Sequence, residues 1–297
     1  MIITENAPDL VENKNKVWYT CCSTKIRKVI NVTIDFHVHA FSEKIADKAI
    51  SVLEQRAGIQ PLTRGTTAQT LERMQQWGID SSVILPIATK PSQQTVINNW
   101  AKQIDSERLI SFGSVHPDAE DALDELERIR QLGLHGIKLH PDYQGFMIDD
   151  PKLDPLLDAI AQTGLPVIFH AGYDVVSPDL VHCAPQAALK MFTKHRGLKV
   201  ILAHLGGNDR WDEVYETLAG VDGELYFDTA FTSWNCPDEM MQKIIDRHGA
   251  DRILFASDLP WDSPDRIRQK ILRLKLSDDA KEKILGANAQ RLLGLTY

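Results

Sequence analysis

The chain has 297 residues, of which 43% are hydrophobic and 25% are charged, a composition typical of a soluble globular protein with one large domain or two small ones. A formal net charge of -8 argues against a nucleic-acid or anionic-membrane partner, because both attract basic surfaces. No apolar stretch approaches the ~20 residues that span a bilayer, and the polar N-terminus does not resemble a secretory signal.

Residues 1–31 contain no helical or strand repeat and are predicted to form an N-terminal extension to a single domain over residues 32–297. From residue 32 onward, apolar strands alternate with helical patterns at the spacing of one strand–helix unit. Eight parallel strands with intervening helices close into a (β/α)8 TIM barrel, which is the predicted fold. The predicted strands cover residues 32–39, 81–88, 109–115, 135–140, 166–170, 199–204, 224–229 and 252–258.

The loop after the first strand, residues 40–66, is long and polar and contains a helical stretch at 43–57. Long loops at the C-terminal face of a barrel usually serve as lids or substrate walls. Later helices have clear start and stop signals. Residues 119–132 begin with acids and end with arginine, and residues 151–163 open with proline and end at Gly164.

The first predicted strand carries polar residues at every second position: Asp35, His37 and His39. Side chains alternate faces along a strand, so His37 and His39 point the same way, about 7 Å apart. Two imidazoles at that separation can converge on one metal ion. The alternative is a half-exposed strand with histidines that occur there by chance.

Four further strands end in polar residues, namely Lys138 with His140, then His170, His204 and Asp258. The C-terminal ends of parallel strands meet at one mouth of a barrel. Buried histidines that face an acid are costly unless they are paired or bound to a metal. Three nitrogens and one carboxylate, with a position left for water, describe a catalytic, zinc-like centre.

Several motifs at these strand ends make the chain similar to the amidohydrolase superfamily. Within it, the chain resembles the metal-dependent TIM-barrel hydrolase branch, which also contains aminocarboxymuconate semialdehyde decarboxylase and the resorcylate decarboxylases. The resemblance runs from about residue 33 to the C-terminus. The motifs are Asp35-Phe-His37-Val-His39, the strand-5 His170, Ala-His204-Leu-Gly-Gly and Ser257-Asp258-Leu-Pro-Trp.

The resemblance implies a set of roles. His37, His39, His170 and Asp258 match the ligands of one divalent metal ion, for which we expect zinc, with manganese as the alternative. His204 matches a histidine that lies beside the metal and polarises the substrate. Asp258 would also act in catalysis, because a carboxylate next to a metal-bound water can take its proton.

Lys138 leaves two interpretations open. In binuclear relatives a strand-4 lysine is carbamylated and bridges two metal ions, so a second metal is expected here only if Lys138 is carbamylated. Otherwise Lys138 stays an ammonium and pairs with a substrate carboxylate or with Asp258. We favour the ammonium and predict that Lys138 and His140, which lies one step nearer the mouth, bind the substrate.

Other residues are secondary candidates. Asp228, at the end of the seventh strand, is placed to orient a ligand histidine. Trp234, Trp261, Arg64 and Tyr143 fall in mouth loops and could form walls of the site. His182 and His248 are interpreted as surface or helix-end residues.

Two activities fit this site. The first is a metal-dependent hydrolase that acts on a small amide, ester or lactone by metal-activated water. The alternative is a metal-dependent non-oxidative decarboxylase, a lyase, of a small carboxylic acid. The sequence does not separate them. A binding protein with a relic site would need a lost ligand, and none is lost.

The expected setting follows from composition and cysteine usage. The four cysteines, Cys21, Cys22, Cys183 and Cys236, contain no CxxC pair, so we interpret them as reduced thiols in a cytoplasmic protein. The expected partner is a small-molecule substrate, with no nucleic acid and no membrane, and we expect a homo-oligomer.

Overall fold

The computed structural model of this chain describes residues 32–296, so the predicted N-terminal extension, residues 1–31, lies outside the described part. All strand pairs in residues 32–296 are parallel, in the order β1-β2-β3 and β4-β5-β6-β7-β8-β9. The strands are β1 Ile34–Val38, β2 Ser81–Ile84, β3 Leu109–Ser111, β4 Gly113–Ser114, β5 Ile137–Leu139, β6 Pro166–Phe169, β7 Lys199–Leu202, β8 Leu225–Asp228 and β9 Ile253–Leu254.

Backbone hydrogen bonds at two seams close these strands into a barrel. At the first seam, the Phe112 amide donates to the Ile84 carbonyl at 3.0 Å, and the next amide, that of Gly113, donates to the Gly136 carbonyl at 2.8 Å. At the second, the Phe36 amide donates to Phe255 at 2.8 Å and the Asp258 amide donates to His37 at 2.9 Å. The predicted (β/α)8 barrel is therefore confirmed.

All eight predicted strands are shorter in the structure than expected, and two of them also change form. The stretch 109–115 divides at Phe112 into β3, which pairs with β2, and β4, which pairs with β5. The predicted strand 252–258 is regular only over β9, Ile253–Leu254. Beyond β9, residues 255–258 bond to β1 through isolated hydrogen bonds rather than a continuous ladder. The last residues of the predicted strand can therefore turn toward the barrel mouth.

Helices surround the barrel, and several begin or end where the sequence predicts. α2 starts after Thr66, whose hydroxyl accepts from the Gln69 amide, and it ends at Gly78, which has a left-handed φ of 62°. Three helices start later than predicted, at Ala46, Ala122 and Asp154, the last of them after a 3-10 turn. The helices are α1 Ala46–Ala57, α2 Thr67–Trp77, α3 Gln94–Ile104, α4 Ala122–Leu132, α5 Pro141–Gln144, α6 Asp154–Thr163, α7 Pro185–Lys194, α8 Trp211–Thr217, α9 Asp238–His248, α10 Pro264–Arg273, α11 Asp278–Glu282 and α12 Asn288–Leu293, with short 3-10 turns at Pro91–Gln93, Pro151–Leu153 and Ala250–Arg252 and a π-turn at Lys283–Ala287.

A bulge in β1 decides which of its side chains face inward. Asp35 pairs with Ser82 and Val38 pairs with Ile84, so three steps on β1 match two steps on β2. Phe36 packs in an inner apolar cluster that includes residues of the opposing strands, and its ring meets Phe112 edge-on at 5.8 Å. The next residue, His37, also reaches inward. Strict alternation alone would not send both side chains to the same side.

His248, at the end of α9, is buried rather than exposed. Its Nε2–H donates to the Leu225 carbonyl at 3.0 Å, and its Nδ1 accepts from the Gly220 amide at 3.3 Å. The ring also stacks on Phe227 at 3.9 Å. Both nitrogens are thus used in the neutral form, and burial lowers the pKa of His248 to about 3.

Within residues 32–296, no helix is both long and apolar enough to cross a membrane. The two cysteines in this part, Cys183 and Cys236, are buried and free, in agreement with the prediction of reduced thiols.

Candidate metal centre and cavity

The C-terminal ends of the strands open into a cavity of about 660 Å³. This is the face of a barrel on which active sites are built. Side chains predicted for the site line its floor: His39, His140, His170, His204 and Asp258. A volume of this size lies within the usual range for small-molecule sites.

His37, His39 and Asp258 direct three electron-rich atoms at one point. His37 Nδ1 lies 2.7 Å from an Asp228 oxygen, and His39 Nδ1 lies 3.1 Å from the Leu85 carbonyl. Both partners are acceptors, so each Nδ1 carries the proton and each Nε2 keeps its lone pair. The two Nε2 atoms are 3.2 Å apart, and Asp258 Oδ1 lies 3.5 and 3.2 Å from them.

Such an arrangement is repulsive unless a cation lies between the three atoms. Burial lowers the pKa of His37 well below its usual range, so protonation of that ring does not relieve the repulsion. Asp258 Oδ1 is buried and has no hydrogen-bond partner among the described residues. The donor set of two imidazoles and one carboxylate therefore fits a divalent metal ion.

His170 and His204 form a second pair of facing nitrogens. His204 Nδ1 lies 3.1 Å from the Ala230 carbonyl and so carries the proton, and its Nε2 is 2.9 Å from His170 Nδ1. Burial lowers the pKa of His204 to about 4, which keeps the ring neutral. His170 Nε2 lies 3.4 Å from Asp174. If His170 donates its proton toward Asp174, its Nδ1 is free to bind a cation as well.

Asp174 and Asp142 also belong to the site, although neither was predicted from the sequence. Asp174 lines the cavity 3.6 Å from His140 Nε2, and burial raises its pKa to about 6. The Asp142 side chain is buried and contacts His182 Nδ1 at 2.9 Å. Each acid follows a predicted site histidine by a few residues within the same strand-end loop, and that signal could have identified them.

His140 lies in a stack of three rings at the cavity floor. Its ring is parallel to Tyr143 at 3.8 Å and to His170 at 4.4 Å, with 9° between the planes in both cases. Burial lowers the pKa of His140 well below its usual range. His140, His170 and Asp174 also form a second group with ligand atoms close together. A metal ion bound there would need the lone pair of His170 Nε2, which has no hydrogen-bond partner among the described residues, and that nitrogen could not then direct a proton toward Asp174.

Lys138 lies beneath the floor rather than on it. Its side chain is fully buried and does not line the cavity, and its Nζ has no hydrogen-bond partner within residues 32–296. Burial lowers the pKa of Lys138, while the carboxylates of Asp228 and Asp258 oppose that shift. The Lys138 side chain therefore does not reach the cavity surface, where the predicted contact with a substrate would form.

Two predicted catalytic residues have left-handed backbone angles. His204 has a φ of 59° and Asp258 a φ of 72°, which is uncommon for residues other than glycine. The His204 amide donates to the Asp228 carboxylate at 2.8 Å, and the Trp261 amide donates to the Asp258 carbonyl at 2.8 Å. Such conformations cost about 1–3 kcal/mol each and persist where the surroundings enforce them, often at functional sites.

Gly172, two residues after His170, permits a close approach of two strand-end loops. It has a φ of 86°, and a Cβ built on it would lie 2.1 Å from the backbone nitrogen of Asn208. The Asn208 amide in turn donates to the Ala171 carbonyl at 2.9 Å. Only glycine fits this contact, which keeps the loop after β6 next to the loop after β7 and hence His170 next to His204.

The secondary candidates divide into two groups. Tyr143 and Trp261 line the cavity. Trp234 does not, because it is 61% exposed and stacks with the Arg266 guanidinium at 4.1 Å. Arg64 also stays outside, since it bonds to two acids of α1. As predicted, Asp228 contacts a histidine of the candidate metal site.

Known proteins are similar to this chain in sequence and in structure. A family model described as amidohydrolase matches residues 34–295. A curated relative, the 2-amino-3-carboxymuconate-6-semialdehyde decarboxylase of Dictyostelium discoideum, is 24% identical over 236 residues, or 67% of this chain. The match covers 66% of that relative, just under two thirds of its length.

Solved structures share the fold at low identity. The 5-carboxyvanillate decarboxylase of Sphingomonas paucimobilis has a TM-score of 0.66 and 18% identity, over 89% of this chain and 99% of its own. A dihydroxybenzoic acid decarboxylase from Polaromonas, solved with manganese and 2-nitroresorcinol, has the same TM-score and identity over 89% and 97%. A TIM-barrel protein from Bordetella bronchiseptica reaches a TM-score of 0.72 at 21% identity, over 88% and 98%.

These structural neighbours are too distant in sequence to indicate more than the shared barrel. The family model, in contrast, matches nearly all of the described residues, including every strand end that contributes to the cavity floor. The chain therefore belongs to the amidohydrolase family of enzymes, as its strand-end motifs predicted.

Proposed function

We propose that this chain is a metal-dependent, non-oxidative decarboxylase of a small carboxylic acid, rather than a hydrolase of a small amide, ester or lactone. The observation that supports metal-dependent chemistry most strongly is the convergence of His37 Nε2, His39 Nε2 and Asp258 Oδ1 on one point. The preference for decarboxylation is supported by similarity, because the curated relative and two of the solved neighbours are named as decarboxylases.

One divalent ion is proposed at His37, His39 and Asp258. We propose His170 as the fourth protein ligand, although the structure groups its ring with His140 and Asp174 and places its Nδ1 against His204, so the ring would have to move toward the ion. Imidazole nitrogens with a carboxylate oxygen suit zinc or manganese, and the Polaromonas neighbour holds manganese. When bound, the ion supplies positive charge that attracts the substrate carboxylate and stabilises negative charge on the reacting molecule. Zinc remains our first expectation.

Loss of carbon dioxide leaves the electron pair of the broken C–C bond on the substrate carbon, which must then take a proton. We assign the delivery of that proton to Asp258, because its side chain lines the cavity. The carboxylate would take a proton from water and pass it to the substrate carbon through the oxygen that does not hold the metal ion. A positioned acid or base of this kind typically contributes about 100-fold to 10,000-fold in rate.

His204 is assigned a role as an acceptor. Its Nδ1–H is held by the Ala230 carbonyl, so Nε2, which faces His170 Nδ1 at 2.9 Å at the edge of the cavity, carries a lone pair and cannot donate a proton while the ring is neutral. It would therefore accept a hydrogen bond from a substrate hydroxyl, rather than polarise the substrate as a donor. His140 also lines the cavity and remains a candidate for substrate binding.

Lys138 is proposed to stay an ammonium that balances the buried carboxylates around it. A second metal ion would instead require carbamylated Lys138 together with His170 and His204. The 2.9 Å approach of His170 Nδ1 to His204 Nε2 is the observation that supports this alternative. The two possibilities differ in the number of ions per chain.

Hydrolysis is the second candidate activity, since the matching family model is described as amidohydrolase. The same floor could bind a carbonyl compound, with Asp258 accepting a proton instead of giving one. The two activities differ in their products, because only the decarboxylase releases carbon dioxide.

The test begins with protein that is stripped by a chelator and reloaded with zinc or with manganese. Metal content is measured by elemental analysis, and carbon dioxide release is measured on 2,6-dihydroxybenzoate, 5-carboxyvanillate and related acids. Matching esters and amides test hydrolysis. We expect one ion per chain and carbon dioxide release that depends on it, with Asp258→Asn lowering turnover about 100-fold to 10,000-fold.

Two further variants separate the roles. His204→Asn should keep the metal and lose activity, because the proposed ligand set is complete without it. Glu127→Gln, which alters only exposed contacts with Arg130 and Gln131, serves as the control and should behave like wild type. Loss of metal from His204→Asn together with two ions per wild-type chain would favour the binuclear alternative. Ester hydrolysis without carbon dioxide release would reverse the preferred activity.

A further inference from the structure

The mouth of the cavity is lined by apolar side chains that nothing in the described chain covers. Seven large hydrophobic side chains within residues 32–296 are well exposed, and four of them line this one cavity. We call these four the apolar rim: Ile45 at 52%, Val52 at 41%, Val96 at 70% and Val175 at 40% exposure. Single exposed apolar residues are normal, but a cluster at one cavity marks a binding surface.

Helix α1 contributes two apolar faces, of which the barrel covers only one. Ala46 and Ile50 are buried against the rest of the chain. Ala49, Val52 and Leu53, at helical spacing from Ile45, line the cavity instead. Packing against the barrel accounts for the apolar character of the buried face, whereas the face that lines the cavity has no such partner in the described chain.

A second apolar surface faces the cavity from α3. Val96, Ile97 and Trp100 line the cavity from that helix, and Val175 and Val176 line it from the loop after β6. The ionisable groups that could carry out chemistry lie at the strand ends below them. The cavity is therefore divided into a polar floor and an apolar upper wall.

The volume of the cavity exceeds that of a single small ring. An apolar cavity of about 150 Å³ is enough to hold benzene, whereas this one measures about 660 Å³. A one-ring acid bound at the floor would leave most of the upper wall in contact with water. Two cations of α1, Lys48 and Arg56, also line the cavity and would attract an anionic molecule toward it.

Resting on the proposed function, we propose that the substrate is a carboxylic acid with an extended hydrocarbon body. Its carboxylate reaches the polar floor, and its apolar body lies between α1 and α3 against the apolar rim. The continuity of the rim with the floor in one cavity supports a substrate as the occupant, rather than a second copy of the chain or residues 1–31.

Straight-chain carboxylates test this inference without any catalysis. Their dissociation constants for the zinc-loaded protein are measured by calorimetry, from butanoate to decanoate. Burial of each added methylene should tighten binding about fourfold until the wall is filled. Val52→Asn and Val96→Asn should weaken decanoate about threefold or more and leave butanoate unchanged. Both side chains are exposed, so these variants should keep the wild-type melting temperature.

Leu123→Asn is the matched control, because Leu123 on α4 has an exposure of 50%, between those of Val52 and Val96, but lies outside the cavity. It should bind every acid like wild type. Affinity that does not increase with chain length, or an equal effect of Leu123→Asn, would overturn the inference. So would rim variants that change the oligomeric state on a sizing column without changing decanoate binding, since the rim would then contact another copy of the chain.

The outcome is distinguishable from failure of the proposed function. Tighter binding of longer acids, without carbon dioxide release from any acid tested, would support the apolar binding site and refute the proposed decarboxylase activity. Release of carbon dioxide from one-ring acids with no dependence on chain length would do the reverse.

Discussion

Replacement of Asp228 by asparagine should weaken metal binding without removing any proposed ligand. One carboxylate oxygen of Asp228 accepts the proton of His37 Nδ1 at 2.7 Å. The other oxygen accepts the amides of His204 at 2.8 Å and Ala230 at 3.0 Å. Asp228 thereby fixes the tautomer in which His37 Nε2 presents its lone pair to the candidate metal site.

Asparagine can satisfy only one side of this arrangement. If its oxygen keeps the two backbone amides, its NH2 group faces the His37 Nδ1 proton, and the ring must move that proton to Nε2. If the amide turns over, two buried backbone donors lose their acceptor, at about 1–3 kcal/mol each. Loss of such an orienting contact typically costs 10-fold to 100-fold in metal affinity, or about 1.4–2.7 kcal/mol.

The assay is a competition titration of zinc against a coloured chelator, with circular dichroism and thermal melting to verify the fold. Asp262→Asn is the matched control. Asp262 is a buried acid at the same end of the barrel that accepts from Ser233 and Ser263 and contacts no histidine in the described structure. It should lower stability and leave zinc affinity unchanged. Wild-type affinity in folded Asp228→Asn, or equal weakening in Asp262→Asn, would refute the tautomer argument.

Two further predictions concern stability. Gly172→Ala should lower the free energy of unfolding by clearly more than Gly164→Ala, measured by urea titration. Both glycines have positive φ, worth about 1–2 kcal/mol for alanine, but only at Gly172 would the Cβ meet backbone, 2.1 Å from Asn208. Equal losses would contradict the close approach. The pKa of His248 is lowered from 6.5 to about 3, so below about pH 6.5 the unfolded chain binds a proton that the folded chain does not. Its contribution is fully present at neutral pH and decreases as pH falls, by about 1.4 kcal/mol per pH unit. His248→Gln should have a flatter dependence of unfolding free energy on pH, and parallel profiles would show that this ring titrates normally.

Much of the barrel and of its active face was predictable from local patterns. Strands buried on both faces appear as apolar runs, so a polar residue at the end of a run, such as His170, His204 or Asp258, stands out in the sequence. Connections in such a fold are regular, and the ends of all parallel strands lie on one face. Those two facts were enough to bring the histidines and Asp258 to one predicted mouth.

The contact partners of individual side chains, and their depth relative to the cavity floor, could not be predicted from the same local patterns. The bulge between Asp35 and Val38 sends both Phe36 and His37 inward, which no strict alternation predicts. Lys138 occupies an inward position like a substrate contact, yet it lies beneath the floor. Asp174 reaches the site only because its loop folds back over His170.

The sequence by itself determined the barrel, the family and the face that carries the chemistry, because periodicity and motif spacing record which side of a strand each residue occupies. Only the tertiary structure decided which ring nitrogens are free, as Asp228 fixes His37 and the Ala230 carbonyl fixes His204. It also decided that the rim around Val52 and Val96 belongs to the cavity. Hydrogen-bond partners and cavity walls come from segments distant in the chain, so local sequence patterns do not record them.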